Sequence, residues 1–174
     1  MWHHLGHFLA HLLKALFEWG VEKHAQHRAL SQGSPASYRF EQHMWYLAQD
    51  TSIPLTVLKS HLATFEPTFR GRTFIAVLVN QGPSISIGMF SNIRFPVGGI
   101  PPAVCDMIRD LTQPGDGFRL VPLDGPDGSF VIADGNGRAA ELTPQVFIQS
   151  TQEMMLMLAL VDDWIIERGY SADN

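Results

Sequence analysis

The apolar residues at the start of the chain are spaced as on one side of an α-helix. From Leu5 to Val21 they recur at intervals of three and four residues, and histidines and charged residues occupy many of the positions between them. Turn-forming residues follow at 31–37. The pattern predicts a long amphipathic helix whose apolar side consists of Leu5, Phe8, Leu9, Leu12, Leu13, Leu16, Phe17 and Val21.

Two shorter helices are predicted next, over residues 38–49 and 55–65, with a turn at 50–54 between them. From residue 73 onward the pattern changes to that of β-strands. Residues 73–80 form a β-branched, apolar run, and residues 84–90 alternate between apolar and small or polar side chains.

The remaining elements follow from turn and capping residues. Short strands are predicted at 93–97, 118–123 and 129–133, with a hairpin loop at 124–128. Helices are predicted at 101–112 and 143–168. Thr143 is typical of a helix N-cap, Pro144 of the first helical position and Gly169 of a residue that ends a helix.

This order predicts an α+β fold, in which N-terminal helices precede β-β-(β)-α-β-β-α and helices pack on an antiparallel sheet. We expect a helical region at 1–70 and an α+β domain at 71–174. The repeated βαβ units of a dinucleotide-binding fold are not present in the pattern.

Charge divides the chain at nearly the same place. Among the 174 residues the net charge is −5, but residues 1–72 sum to +2 (seven bases, five acids) and residues 73–174 to −7 (five bases, twelve acids). The overall acidity disfavours a protein that coats nucleic acid. The single cysteine, Cys105, excludes an intramolecular disulfide and a multi-thiolate metal site.

The hydropathy pattern predicts neither a membrane span nor a signal peptide. The longest apolar run, residues 154–161, is far shorter than the roughly 20 residues that a span requires. His11, Lys14 and Glu18 interrupt the N-terminal apolar positions, and no initial Lys/Arg cluster precedes them. We therefore expect a cytoplasmic protein with a reduced thiol.

Two motifs give alternative functions. His3, His7 and His11 are spaced to line one side of a helix, where imidazoles could bind Zn²⁺, Cu²⁺ or Ni²⁺ in a metal sensor.

Residues 47–62 resemble the helix-turn-helix of bacterial regulators. That resemblance would place four residues of the second helix in the major groove of DNA. These four residues are Thr56, Lys59, Ser60 and His61.

The final helix is the strongest signal for a protein partner. Residues 154–161 are apolar on every side of the helix, although a helix on a sheet buries only one side. Methionine suits an adaptable binding surface. With the amphipathic first helix, this predicts a partner-binding surface made of Leu5, Phe8, Leu12, Leu16, Met154, Met155, Met157, Leu158, Val161 and Trp164.

The order of elements resembles the type III secretion chaperone-like fold, including the YbjN-type regulators. The similarity covers residues 73–168 and includes the Asp- and Gly-rich turn at 124–128 and Trp164 near the end of the last helix. It implies a small, acidic, non-enzymatic protein that dimerises and binds extended partner segments.

Nothing in the residue pattern predicts catalysis or a cofactor, since no nucleophile elbow, zinc-protease motif or P-loop is present. The leading hypothesis is a chaperone- or adaptor-type interaction module, expected to be a homodimer. A DNA-binding regulator and a histidine-dependent metal sensor are the alternatives.

Overall fold

The computed structural model describes residues 40–59, 61–112 and 117–170. The amphipathic helix predicted at 5–21 lies outside these residues. Three helices are described: α1 (Phe40–Thr51), α2 (Pro102–Leu111) and α3 (Pro144–Glu167). The strands are β1 (Thr56–Lys59), β2 (Leu62–Phe65), β3 (Thr68–Phe69), β4 (Arg72–Thr73), β5 (Ile75–Asn80), β6 (Ser84–Phe95), β7 (Phe118–Gly125) and β8 (Gly128–Arg138), the last followed by a 3₁₀ turn at Ala139–Glu141.

The predicted α+β class is confirmed. Six strands form an antiparallel sheet in the order β1-β2-β5-β6-β8-β7, and β3 and β4 form a separate two-stranded ribbon. The six-stranded sheet includes strands on both sides of the boundary that the sequence placed between residues 70 and 71. Residues 56–65 are therefore part of the same sheet as the strands that follow residue 75.

The helix predicted at 55–65 is wrong, because the chain forms the hairpin β1–β2 there. The leucines of this segment fit a helical period, but Thr56, Val57 and Thr64 are β-branched and favour an extended backbone. Strand β2 pairs along its whole length with β5, from Leu62–Val79 to Phe65–Ala76. This long-range pairing outweighs the weak local helical preference.

The first described helix agrees with the helix predicted at 38–49 to within two residues. Its last turn is closed by the Thr51 hydroxyl, which donates to the carbonyl of Leu47 at 2.5 Å and accepts from the N–H of Ile53 at 3.3 Å. Ser52 then adopts a φ of 55°, a left-handed conformation that stops the helix. The chain can therefore turn directly into β1.

Strand β6 is longer than predicted and absorbs the short strand expected at 93–97. Its pairing with β8 continues from Ser84 to Phe95 across a shift in register between Phe90 and Arg94. Ser91 lies in this bulge, where its Oγ accepts from the N–H of Ile93 at 3.0 Å. The bulge lets one strand continue where the residue pattern indicates a break.

The final helix begins and ends as predicted. The Thr143 hydroxyl accepts from the N–H of Val146 at 3.3 Å, and Pro144 occupies the first turn. At the other end Gly169 has a φ of 70°, and the N–H of Tyr170 donates to the carbonyl of Ile165 at 3.1 Å. Helix α3 thus spans 24 residues with defined caps.

The helices pack on one face of the sheet and form the main core with it. Buried side chains of α1, α2 and α3, among them Met44, Ile108 and Phe147, meet those of the sheet in one cluster. The opposite face carries a second apolar cluster, which includes Val77 and Ile132. The face on which α1, α2 and α3 pack is the helical face, and the opposite one, which carries the cluster of Val77 and Ile132, is the second face.

Candidate protein-interaction surface

The partner-binding residues predicted on α3 lie mainly in the chain's own core. Met154, Met155, Leu158 and Val161 are buried against the sheet and α1, and Met157 and Trp164 are partly buried. In this conformation the four buried side chains cannot contact a partner. Leu5, Phe8, Leu12 and Leu16 lie outside the described residues.

Other apolar residues are exposed instead. On α3 these include Leu156 and Leu160, which are 42% and 50% exposed. On α1 they are Trp45 and Tyr46, 58% and 50% exposed, whose rings meet edge to face at 5.1 Å. Exposed aromatic residues are enriched in protein interfaces. The 3.6-residue period of each helix distinguishes these exposed positions from the buried ones. The predicted partner-binding site nevertheless includes none of Trp45, Tyr46, Leu156 and Leu160.

Strand β1 forms one edge of the six-stranded sheet. All four of its residues are exposed, including the apolar side chains of Val57 and Leu58. Among the described residues β1 pairs only with β2, so no described strand lies along its outer side. An unpaired edge offers a template for another extended chain, and this one is a four-residue strand with a shift in register between Val57 and Lys59.

The opposite edge of the sheet, β7, is less suited to pairing. Pro122 lies in the middle of the strand and lacks a backbone N–H. Helix α2 also packs beside β7, and the Thr112 hydroxyl at the end of α2 accepts from the N–H of Leu120 at 3.1 Å. The two edges therefore differ, and β1 is the more accessible template.

The residues predicted to read DNA are not on a helix. Thr56 and Lys59 belong to strand β1, and His61 is in the turn that follows it. Ser60 lies outside the described residues. This placement removes the second helix on which the helix-turn-helix interpretation depended.

The predicted metal ligands His3, His7 and His11 also lie outside the described residues. In the part of the chain that the structure describes, no group of three or more His, Cys, Asp or Glu side chains is placed to hold a metal ion. The metal-sensor hypothesis thus stays a prediction from the sequence.

A small cavity of about 210 Å³ opens at the end of the sheet where α3 begins. Its lining includes the apolar side chains of Leu142 and Met154 and the glycines of β8. Arg138 lies at this cavity and contacts Glu141, with 3.5 Å between Nη1 and Oε1. The cavity is a small apolar recess with a charged pair beside it.

A buried carboxylate connects α3 to the bulge of β6. Asp162 is 1% exposed; its Oδ1 accepts from Ser91 Oγ at 2.5 Å and its Oδ2 accepts from the N–H of Asn92 at 3.2 Å. Burial raises the pKa of Asp162 above its usual 3.8, although the hydrogen bonds from Ser91 and Asn92 and the charge of Arg72 oppose that rise.

This raised pKa predicts a pH-dependent contribution to stability. A carboxyl that binds its proton more tightly when folded stabilises the protein below pH 3.8 and loses that contribution as the pH rises through the folded pKa. Relative to Asp162→Asn, the wild-type free energy of unfolding should therefore fall over this range. Urea unfolding of both proteins at several pH values measures the difference, and a difference that does not change with pH would contradict the assignment.

No protein-family model, no curated protein and no solved structure matches this chain. The resemblance to the type III secretion chaperone-like fold therefore stays a prediction from the order of elements. Among the described helices, none is long and apolar enough to cross a membrane.

Proposed function

We propose that this protein is a non-enzymatic interaction module of chaperone or adaptor type, which binds an extended segment of a partner protein by adding it as a strand beside β1. The observation that carries the proposal is the exposure of all four β1 residues at an edge of the sheet. Backbone hydrogen bonds supply affinity in this mode of recognition, and alternate side chains supply selectivity.

The chemistry of the β1 edge supports an apolar, extended partner. Val57 and Leu58 are 37% and 43% exposed, so a paired strand could cover them. The side chain of Val57 is on the same face of the sheet as that of its partner Ala63, which belongs to the main core. A partner residue with a large apolar side chain could extend that core past the edge.

The proposed setting is the one expected from the sequence, a cytoplasmic homodimer. Cys105 is the single cysteine of the chain, and a reducing compartment would keep its thiol free. The exposed Trp45 and Tyr46, on the helix that precedes β1, offer a further apolar surface to a second copy or to the partner.

Binding to backbone-methylated peptides tests the proposal. Ten-residue peptides selected against the full chain from a random display library would be synthesised with an N-methyl group at each position in turn. Strand pairing directs alternate N–H groups toward β1, so methylation should weaken binding about tenfold or more at every second position. Fluorescence anisotropy measures the dissociation constants.

The matched protein variants are Leu58→Asp at the β1 edge and Val97→Asp, which places the same charge on an exposed apolar residue outside the strands. We expect Leu58→Asp to abolish binding and Val97→Asp to leave it unchanged. Failure to select any binding peptide would count against the proposal, as would equal effects of the two variants or a methylation profile without a period of two.

A further inference from the structure

The second face of the sheet carries an apolar patch that is closed to solvent and lies next to the buried polar residues Ser86 and Asp134. Val77 and Val79 are 0% exposed, Ile132 is 1% exposed, and the other members of the cluster are at most 6% exposed. The buried cluster consists of Leu62, Val77, Val79, Phe90, Phe130 and Ile132. Ile75, Val121 and Leu123 pack around it, so the apolar surface extends over five neighbouring strands, from β2 to β7.

None of the described helices accounts for this burial. Every buried apolar side chain of α1, α2 and α3 belongs to the cluster on the helical face. Side chains of a single sheet layer remain accessible to water unless another layer packs on them. The β3–β4 ribbon also packs on the helical face, since Phe69 joins the main core and Arg72 donates to the carbonyl of Ala159 in α3 at 3.4 Å. The cover of the second face is therefore expected from outside residues 40–59, 61–112 and 117–170.

We propose that the second face is the docking site for residues 5–21 of this same chain, packed across the strands as an amphipathic helix. The apolar positions of this segment form one side of the predicted helix and match the face in character. As a helix these residues would be about 25 Å long. Five strands at a spacing of about 4.8 Å are roughly 19 Å wide between the outer two.

The chain between this segment and α1 is long enough for the docking. Helix α1 begins at Phe40 on the helical face, so the preceding chain must pass around an edge of the sheet to reach the second face. Residues 22–39 can extend about 60 Å, several times the thickness of a sheet and a helix.

The covalent link between residues 5–21 and the sheet favours docking within one chain over docking of the same segment from a second copy. A tethered segment has an effective concentration in the millimolar range for its own sheet, which exceeds ordinary protein concentrations. Docking would leave His7, Lys14 and Glu18 directed away from the sheet, where they can be hydrated. The protein would then have three layers, with the β1 edge between two helical layers.

Two substitutions that introduce a charge in the full chain test which side of residues 5–21 packs on the sheet. Leu12→Asp places a carboxylate on the apolar side, and His7→Asp places one on the polar side. We expect Leu12→Asp to lower the midpoint of thermal unfolding by at least about 5 °C and to increase the binding of a hydrophobic dye. His7→Asp should change neither, and equal effects of the two substitutions would overturn the proposal.

Photo-crosslinking identifies the docking site and the chain that provides it. We expect the Phe8→benzoylphenylalanine variant to form adducts with peptides from β5, β6 or β8 in protein that migrates as a monomer. Lys14→benzoylphenylalanine is the control from the polar side and should form none. Adducts found only in a covalent dimer, adducts with α1 or α3, or no adducts from Phe8 would each overturn the proposal.

Discussion

Replacing Phe147 with alanine is expected to lower the free energy of unfolding by about 3–5 kcal/mol. Phe147 is in the first turn of α3 and is 0% exposed. Its ring centroid lies 5.1 Å from that of Phe65, at the end of β2. The substitution would leave a cavity where the final helix meets the β1–β2 hairpin.

The neighbouring residue provides the control. Val146 is 44% exposed, so Val146→Ala removes few buried contacts and should cost less than about 1 kcal/mol. Chemical denaturation monitored by circular dichroism measures both variants. A cost for Phe147→Ala no larger than that for Val146→Ala would show that β2 and α3 do not share a core.

Replacing Asp162 with alanine is expected to cost about 2–4 kcal/mol at neutral pH, since the Ser91 hydroxyl and the N–H of Asn92 would lose their acceptor. Both donors belong to the bulge of β6, and Ser91 is itself buried. Asp162→Asn retains one acceptor oxygen and should cost less than Asp162→Ala. Urea denaturation compares the three proteins.

The adjacent residue, Asp163, provides the matched control for Asp162→Ala, because Asp163→Ala also removes one negative charge from α3. Asp163 contacts Arg72 in an ion pair whose two side chains are 48% and 36% exposed, respectively. Exposed ion pairs contribute about 0–1 kcal/mol, so Asp163→Ala should have a small effect. If the two alanine substitutions cost the same, the hydrogen bonds of Asp162 to the bulge would not be the source of its contribution.

The elements with strong local signals could be predicted from the sequence. Thr143, Pro144 and Gly169 mark the ends of α3 through capping chemistry that depends only on neighbouring residues. The apolar runs of β5 and β6 and the proline at the start of α2 are equally local. In each case the preference of the segment agrees with its place in the fold.

The hairpin at 56–65 could not be predicted in the same way. Short apolar runs fit a helix or a strand, and what decides here is the pairing of β2 with β5, more than ten residues away. The position of β1 at the edge depends on that same long-range pairing, so the proposed binding site was not visible in the residue pattern.

The burial of α3 shows a second limit of prediction from the sequence. An apolar run around a helix indicates that several sides are covered, but it does not identify the cover. In the structure the sheet and α1 contact α3, which places Met154 and Leu158 in the core and leaves Leu156 and Leu160 exposed. A surface for a partner must therefore be identified from exposure in the fold.

Hydrogen exchange at β1 tests the central claim most directly. The amides of Thr56, Val57 and Leu58 would be followed by mass spectrometry with and without a saturating selected peptide. If the peptide adds as a strand at this edge, β1 amides directed toward it should exchange at least tenfold more slowly in the complex. Unchanged exchange in β1, with protection elsewhere in the chain, would contradict the account.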